Sequence, residues 1–143
     1  MKHIKFIIAV AVLLTSCATT RTSNNGKTVV VYNPIHRDHH RLAVTKVEIT
    51  PKETIIKFNV NYEPNKWVEF DRISYLEVGR KRYMIRSIDG WEIEKKFYMP
   101  ESGEAEFTVH FAPIPAKTKK FSFRERGGWR VADIELYNRK VIY

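Results

Sequence analysis

The chain has 143 residues, the size of one domain, and its eight Phe, seven Tyr and three Trp can support a substantial hydrophobic core. This composition excludes an intrinsically disordered protein, and the single cysteine excludes an intrachain disulfide. The formal net charge of +9 favours contact with anionic surfaces such as lipid headgroups, acidic glycans or peptidoglycan.

The first sixteen residues have the three parts of an export signal. Lys2 and Lys5 give a positive start, residues 6–14 are apolar without interruption, and the small polar Thr15 and Ser16 follow. Nine apolar residues rise only about 14 Å as a helix, which is too short for a bilayer core of ~30 Å. Residues 1–16 are therefore predicted to be a signal helix that is removed after targeting.

The stretch Leu14-Thr15-Ser16-Cys17 resembles the lipobox of bacterial lipoprotein signals. The resemblance implies acylation of the Cys17 thiol, cleavage before Cys17 and acylation of the new amino terminus. Two or three acyl chains give stable attachment, so we expect a membrane partner and a location in the cell envelope, at the outer membrane facing the periplasm. Such an exported chain is not expected to meet nucleic acid. An ordinary secretory signal with an incidental cysteine is the alternative.

Residues 17–27 are small and polar around an Asn25-Gly26 turn signal. They predict a flexible tether between the lipidated Cys17 and a domain that spans residues 28–143. Loss of Lys2 and Lys5 leaves 23 basic against 16 acidic residues, so the mature chain keeps a formal charge of about +7. The domain would therefore remain basic beside the membrane.

From residue 28 onward, apolar and polar residues alternate with a period of two, which indicates β-strands. The segment 54–62 is the clearest, and Pro51-Lys52 predicts a hairpin that joins it to 42–50. Gly79-Arg80 predicts a second hairpin. Further strands are predicted at 28–32, 73–78, 81–86, 105–111, 120–125 and 129–137, with shorter runs at 67–70, 91–93 and 95–99.

No segment keeps a helical apolar period for three turns. The predicted fold class is therefore all-β, an immunoglobulin-like antiparallel β-sandwich of about eight or nine short strands. A closed barrel is the alternative.

The distinctive part of the domain comprises YMPESGE at 98–104, FTVHFAPIP at 107–115 and KKFSFRE at 119–125. With residues 129–136, it resembles a β-sandwich segment of envelope lipoproteins, which in some of them precedes a thioredoxin-like domain. The resemblance implies a fold and a compartment, and it carries no activity. The sequence contains no Cys-x-x-Cys pair, so redox chemistry is not predicted.

The segment 36–40 is the one cluster of metal-capable residues in the sequence. In extended backbone, His36, Asp38 and His40 would project to one side. Two imidazoles and a carboxylate could then hold a zinc-like ion with an open position. The alternative is a solvated loop in which Arg37 and Arg41 oppose a cation.

Trp67, Trp91 and Trp129 each lie beside a strand start or a turn. Exposed at such positions, they could form a platform on which sugar rings stack. Core packing is the alternative, because it is the commoner fate of a tryptophan in a sandwich.

The sequence also has two basic groupings that could engage headgroups, anionic glycan or an acidic partner. The alternative is that they solubilise hairpins and sheet edges. One grouping is Arg80, Lys81, Arg82 and Arg86, and the other is Lys117, Lys119, Lys120, Arg124 and Arg126.

The sequence shows no nucleophile elbow, Gly-rich phosphate loop or zincin helix. His110 is turned outward by alternation, and Glu101 and Glu104 flank a loop. We therefore predict a non-enzymatic, membrane-anchored envelope lipoprotein without a cofactor, whose sandwich serves interaction or assembly. A glycan-binding module that uses the three tryptophans, or a metal-binding protein that uses the histidine cluster, are the alternatives.

Overall fold

The computed structural model describes residues 26–37 and 41–143. Within these ranges the chain forms twelve β-strands and no helix, and accordingly no helix there could span a bilayer. The strands are β1 (Thr28–Tyr32), β2 (Ile35–Arg37), β3 (Leu42–Ile49), β4 (Thr54–Asn61), β5 (Trp67–Val68), β6 (Ser74–Val78), β7 (Lys81–Ile88), β8 (Phe97–Tyr98), β9 (Glu104–Phe111), β10 (Lys120–Glu125), β11 (Arg130–Glu135) and β12 (Lys140–Ile142).

The strands form where the alternating pattern predicts them. In β4, Ile56, Phe58 and Val60 are fully buried while the residues between them stay half-exposed. The neighbouring strand β9 alternates in the same way and pairs with β4 from Thr54 opposite Phe111 to the far end of both strands. Each strand therefore contributes one apolar face to a shared core, because successive side chains point to opposite faces of a sheet.

The two predicted hairpins are present. Strands β3 and β4 pair in antiparallel fashion across the Pro51-Lys52 connection, with Ile49 opposite Thr54. Strands β6 and β7 are joined by two residues, and Gly79 at the first position has a φ of +58°. Glycine meets this requirement without steric cost.

Ten of the described strands form one antiparallel sheet in the order β12-β1-β3-β4-β9-β7-β6-β10-β11-β2. Strand β7 joins its two halves, because residues up to Met84 pair with β6 and residues from Ile85 pair with β9. A register shift between Ile85 and Ser87 marks the bend, as β-bulges commonly do. The remaining two described strands, β5 and β8, pair with each other.

The two halves of the sheet pack face to face through aromatic side chains. The ring of Phe123 from β10 lies 4.9 Å from that of Phe58 and 6.0 Å from that of Phe111, measured between centroids. All three side chains are fully buried. Phe70 adds an edge-to-face contact with Phe107 at 5.5 Å, a geometry that aromatic pairs prefer. The all-β class and the antiparallel sandwich are thus confirmed.

The described strands outnumber the predicted eight or nine. The segment Ile35–Arg37, for which the sequence left extended backbone and a solvated loop open, is strand β2, and Lys140–Ile142 forms β12. Conversely, residue Trp91 makes only an isolated bridge to Ile88 where a strand was predicted at 91–93. Strands β2 and β12 are ordered by partners that are distant in sequence, so local alternation does not define them.

Candidate functional site

A groove of about 410 Å³ opens at one end of the sandwich, where three segments meet. The segments are the residue after β4, residues 66–71 around β5, and the turn between β10 and β11. The groove combines aromatic rings with ionisable side chains. It is lined by Tyr62, Lys66, Trp67, Val68, Glu69, Asp71, Glu125, Gly127 and Trp129.

Backbone contacts to β8 and its flanks hold the β5 segment in place. Trp67 and Val68 pair with Tyr98 and Phe97. The backbone N–H of Met99 donates to the carbonyl of Lys66 at 2.7 Å. Val68 is buried, whereas the Trp67 side chain remains 44% exposed. Because successive side chains of a strand point to opposite faces, Val68 packs inward and Trp67 lines the groove.

The aromatic wall contains two of the three tryptophans that the sequence singled out. Trp67 and Trp129 line the same groove, and Tyr62 lies 6.5 Å from Trp129 between ring centroids at an interplanar angle of 59°. Cations contact the rings on this wall: the Lys96 ammonium is 4.6 Å from the Trp67 ring centroid, and the Arg41 guanidinium is 4.6 Å from that of Tyr62. A cation therefore covers one face of the Trp67 ring and one face of the Tyr62 ring.

The opposite side of the groove is acidic. Glu125 Oε2 accepts hydrogen bonds from the Ser74 hydroxyl at 3.3 Å and from the backbone N–H of Asp71 at 3.4 Å. Asp71 Oδ1 accepts from the backbone N–H of Ile73 at 2.7 Å, and Asp71 Oδ2 forms an ion pair with Arg126 at 3.2 Å. The Asp71 carboxylate therefore stabilises its own turn, and Glu125 is the groove carboxyl that the Asp71 N–H and the Ser74 hydroxyl contact.

Burial raises the pKa of the Glu125 carboxyl to about 7, and the negative charges of Asp71 and Glu69 add to this increase. The hydrogen bonds from Asp71 and Ser74 act in the opposite direction, because they stabilise the carboxylate. Near neutral pH, Glu125 therefore exchanges between a carboxylate that only accepts hydrogen bonds and an acid that also donates one.

Glycine at position 127 makes room for this carboxyl. A Cβ atom on Gly127 would lie 2.8 Å from Glu125 Oε1, closer than real contacts of this kind. Any other residue would push the Glu125 side chain from its position. The close approach fits the turn, in which the Gly128 N–H donates to the Glu125 carbonyl at 3.1 Å.

The third tryptophan lies elsewhere. Trp91 packs edge-to-face on Phe97 at 5.2 Å between ring centroids, and its indole N–H donates to the Lys95 carbonyl at 3.0 Å. The tertiary structure therefore brings Trp67 and Trp129 together and leaves Trp91 in a separate aromatic cluster. Trp91 and Trp129 are both partly buried against the core, as the core-packing alternative expects, whereas Trp67 is exposed.

Of the predicted metal ligands, Asp38 and His40 lie outside the described residues, as do Cys17 and the lipobox residues Leu14, Thr15 and Ser16. His36 is described, and its Nε2 accepts a hydrogen bond from the backbone N–H of Val44 at 3.1 Å. This bond links β2 to β3. Among the described residues, no group of three His, Cys, Asp or Glu residues is arranged to hold a metal ion.

Four of the nine residues in the two basic groupings make side-chain contacts, among them Arg126 with Asp71. Arg82 stacks on Tyr75 at 4.6 Å from the ring centroid, Arg86 donates to the Lys52 carbonyl at 2.7 Å, and Arg124 pairs with Glu77 at 3.1 Å. Arg80 and Lys81 are exposed at the tip of the β6–β7 hairpin. Lys119 and Lys120 line a second groove.

The structure also shows a cluster that the sequence did not predict. His110 of β9 lies between Glu53 and Asp89, with Nδ1 2.6 Å from Glu53 Oε1 and Nε2 2.7 Å from Asp89 Oδ1. Alternation correctly turns His110 away from the core. Its partners are 57 and 21 residues away in sequence, so only their charge could have hinted at the pairing.

Comparisons of the sequence with protein families and with curated proteins, and a search of solved structures, found no match.

Proposed function

We propose that this protein is a glycan-binding module of the bacterial cell envelope, held at the membrane by a lipid on Cys17. The convergence of Trp67, Trp129 and Tyr62 on one groove that also contains Glu125 supports the glycan-binding role. The lipobox resemblance of residues 14–17 supports the anchor. The wider role in envelope assembly that we expect from the sequence stays a prediction.

The lining matches the chemistry of a sugar. A pyranose ring has an apolar face of C–H groups that gains from burial against an aromatic ring, and a rim of hydroxyl groups that need hydrogen-bond partners. Trp67 and Trp129 offer the first kind of surface, while Glu69, Glu125 and Lys66 offer acceptors and a donor. A volume of about 410 Å³ is in the range of small-ligand sites.

Binding without bond cleavage is what we propose. Glycoside hydrolysis ordinarily needs two carboxyl groups that flank the scissile bond, one as acid and one as base or nucleophile. The backbone N–H of Asp71 donates to Glu125. The Asp71 carboxylate is ion-paired with Arg126 and accepts a hydrogen bond from the backbone N–H of Ile73. Asp71 is therefore committed to structure, and the remaining carboxyl of the lining, Glu69, is exposed, so we propose no acid–base pair with Glu125.

The test is to replace the two groove tryptophans. In the full chain, Trp67→Ala or Trp129→Ala should each weaken binding to insoluble peptidoglycan or to a bound oligosaccharide from a glycan panel. A buried aromatic contact of this kind contributes about 2 kcal/mol, or roughly thirtyfold in Kd. Co-sedimentation and isothermal titration calorimetry measure the loss.

Tyr32→Ala is the matched control, because Tyr32 is 58% exposed, lies on β1 and does not line the groove. It should leave glycan binding unchanged. Equal loss in all three variants, or no binding to any glycan by the unaltered chain, would rule out the proposed site.

A further inference from the structure

A second groove of about 540 Å³ lies between the start of β10 and the loop that joins β11 to β12. Lys120 is the cross-strand partner of Glu135, and the backbone N–H of Leu136 donates to the Lys119 carbonyl at 2.9 Å. These contacts place the two lysines beside the loop 136–139. The groove forms an end of the sandwich that is distinct from the one with the tryptophans.

Positive charge dominates this end. Lys119, Lys120 and Lys140 are exposed, and Arg139 is half-buried. The Arg139 guanidinium donates a hydrogen bond to the backbone carbonyl of Ala116, which positions the side chain without neutralising its charge. Glu135 is the one acidic residue of the groove lining. Lys119, Lys120, Arg139 and Lys140 together with Glu135 therefore carry a net charge of +3.

Exposed apolar side chains lie next to these cations. Tyr137 is 55% exposed, and on β12 the exposed fractions are 45% for Val141 and 56% for Ile142. Tyrosine suits a water–lipid boundary, because its ring is apolar and its hydroxyl is polar. Basic residues interleaved with exposed apolar ones are the composition that interfacial binding requires.

The chain enters the domain at this same end. Strand β12 pairs with β1, with Ile142 opposite Thr28 and Lys140 opposite Val30. The Lys27 ammonium lies 5.5 Å from the ring centroid of Tyr143. Two strand residues span about 7 Å, so residues 1–25 join the domain within a short distance of the basic groove. An anchor in that segment would hold this end towards the bilayer.

We propose that this surface, the C-terminal basic patch of Lys119, Lys120, Arg139 and Lys140 with Tyr137 and Ile142, binds the surface of an anionic phospholipid bilayer. The cations attract the phosphate groups, and the apolar side chains enter the headgroup layer. The patch shares no residue with the tryptophan groove, so bilayer binding and glycan binding can be tested independently.

The test uses the full chain with Cys17→Ser, which removes the acyl acceptor. Binding is measured by flotation with vesicles of phosphatidylglycerol mixed one-to-one with phosphatidylcholine, and with vesicles of phosphatidylcholine alone. The proposal predicts stronger binding to the anionic vesicles, which decreases as salt is added. Residues 1–25 are common to every variant, so differences between variants report on the patch.

Adding Lys119→Gln and Lys120→Gln should lower the partition coefficient on anionic vesicles about 25-fold, since each basic residue near such a surface contributes about fivefold. Arg80→Gln with Lys81→Gln is the matched control, because it removes the same charge from the exposed β6–β7 turn. The control should change binding by less than about twofold if the patch is oriented as proposed.

Equal losses in the two double variants would show an effect of net charge alone and would overturn the patch. Unchanged vesicle binding of the Lys119→Gln/Lys120→Gln variant would also overturn the proposal. An acidic protein would then be the better candidate for the partner of this surface. Unchanged far-UV circular dichroism and melting temperature verify that each variant is folded. Because all four lysines and arginines exchanged are at exposed positions, their replacement should not disturb the core.

Discussion

Glu125 shows how one carboxyl couples stability to pH. Its pKa is about 7 in the folded protein and 4.5 ordinarily, chiefly because of burial. The folded state therefore favours the protonated form. The stability from this preference is fully present below pH 4.5 and is lost as the pH rises through 7.

We predict that Glu125→Gln stabilises the protein at pH 8 relative to the unaltered chain. The amide stays neutral and its oxygen can still accept from Ser74 and Asp71. Partial exposure screens the charge, so we expect a gain of about 1–2 kcal/mol in the free energy of unfolding at pH 8 and little change at pH 4.

Urea unfolding at the two pH values measures the effect of Glu125→Gln. Glu101→Gln, at an exposed loop position, is the control and should be neutral at both. A Glu125→Gln variant with the same relative stability at pH 4 and pH 8 would contradict the role assigned to burial.

At the scale of elements, His110 connects three neighbouring strands. Glu53 precedes β4, His110 belongs to β9, and Asp89 follows β7. Partial burial by itself lowers the pKa of His110, but the hydrogen bonds and charges of Glu53 and Asp89 outweigh it and raise the pKa above its ordinary value of 6.5. The protonated imidazole therefore bridges two carboxylates.

We predict that His110→Gln destabilises the protein most at pH 6. The stability from a raised histidine pKa is fully present below pH 6.5 and is lost as the pH rises through the folded value. The loss should be about 1 kcal/mol at pH 6, given partial solvent screening, and smaller at pH 9. Chemical denaturation at both pH values tests this.

Asp89→Asn provides the comparison for His110→Gln, because it removes one of the two carboxylates and keeps the imidazole. Its effect at pH 6 should be intermediate. If His110→Gln instead costs more at pH 9 than at pH 6, the cluster does not act as a charged bridge.

At the scale of the whole molecule, the proposed anchor, the C-terminal basic patch and the tryptophan groove are three separate features. The first two would hold the domain at the bilayer, and the groove would remain available to envelope glycan. Division of the chain into signal, tether and domain is the prediction on which this arrangement depends.

We predict that Cys17→Ser converts the protein from an integral membrane component to one that a high-salt wash releases. Once the signal is removed and no acyl chain is attached, only the patch would hold the protein, and salt screens that attraction. Fractionation of washed membranes measures the release, and circular dichroism of the released protein should show a folded β domain. Retention after the wash, or misfolding, would contradict the division of the chain.

The sequence by itself determined the strands with strong alternation. β4 and β9 carry apolar residues at every second position, and the turns 51–52 and 79–80 join neighbours in the chain. Both signals are local, because strand periodicity and turn chemistry depend on adjacent residues. For that reason the all-β class and both hairpins were predictable.

Only the tertiary structure decided which distant segments meet. Strand β2 pairs with β11, and β12 pairs with β1, across most of the chain. Trp67 and Trp129 converge because β5 and the β10–β11 turn share one end of the sandwich, which leaves Trp91 apart. Non-local pairing depends on the packing of whole sheet faces. The apolar pattern of one strand does not determine which other strand it pairs with.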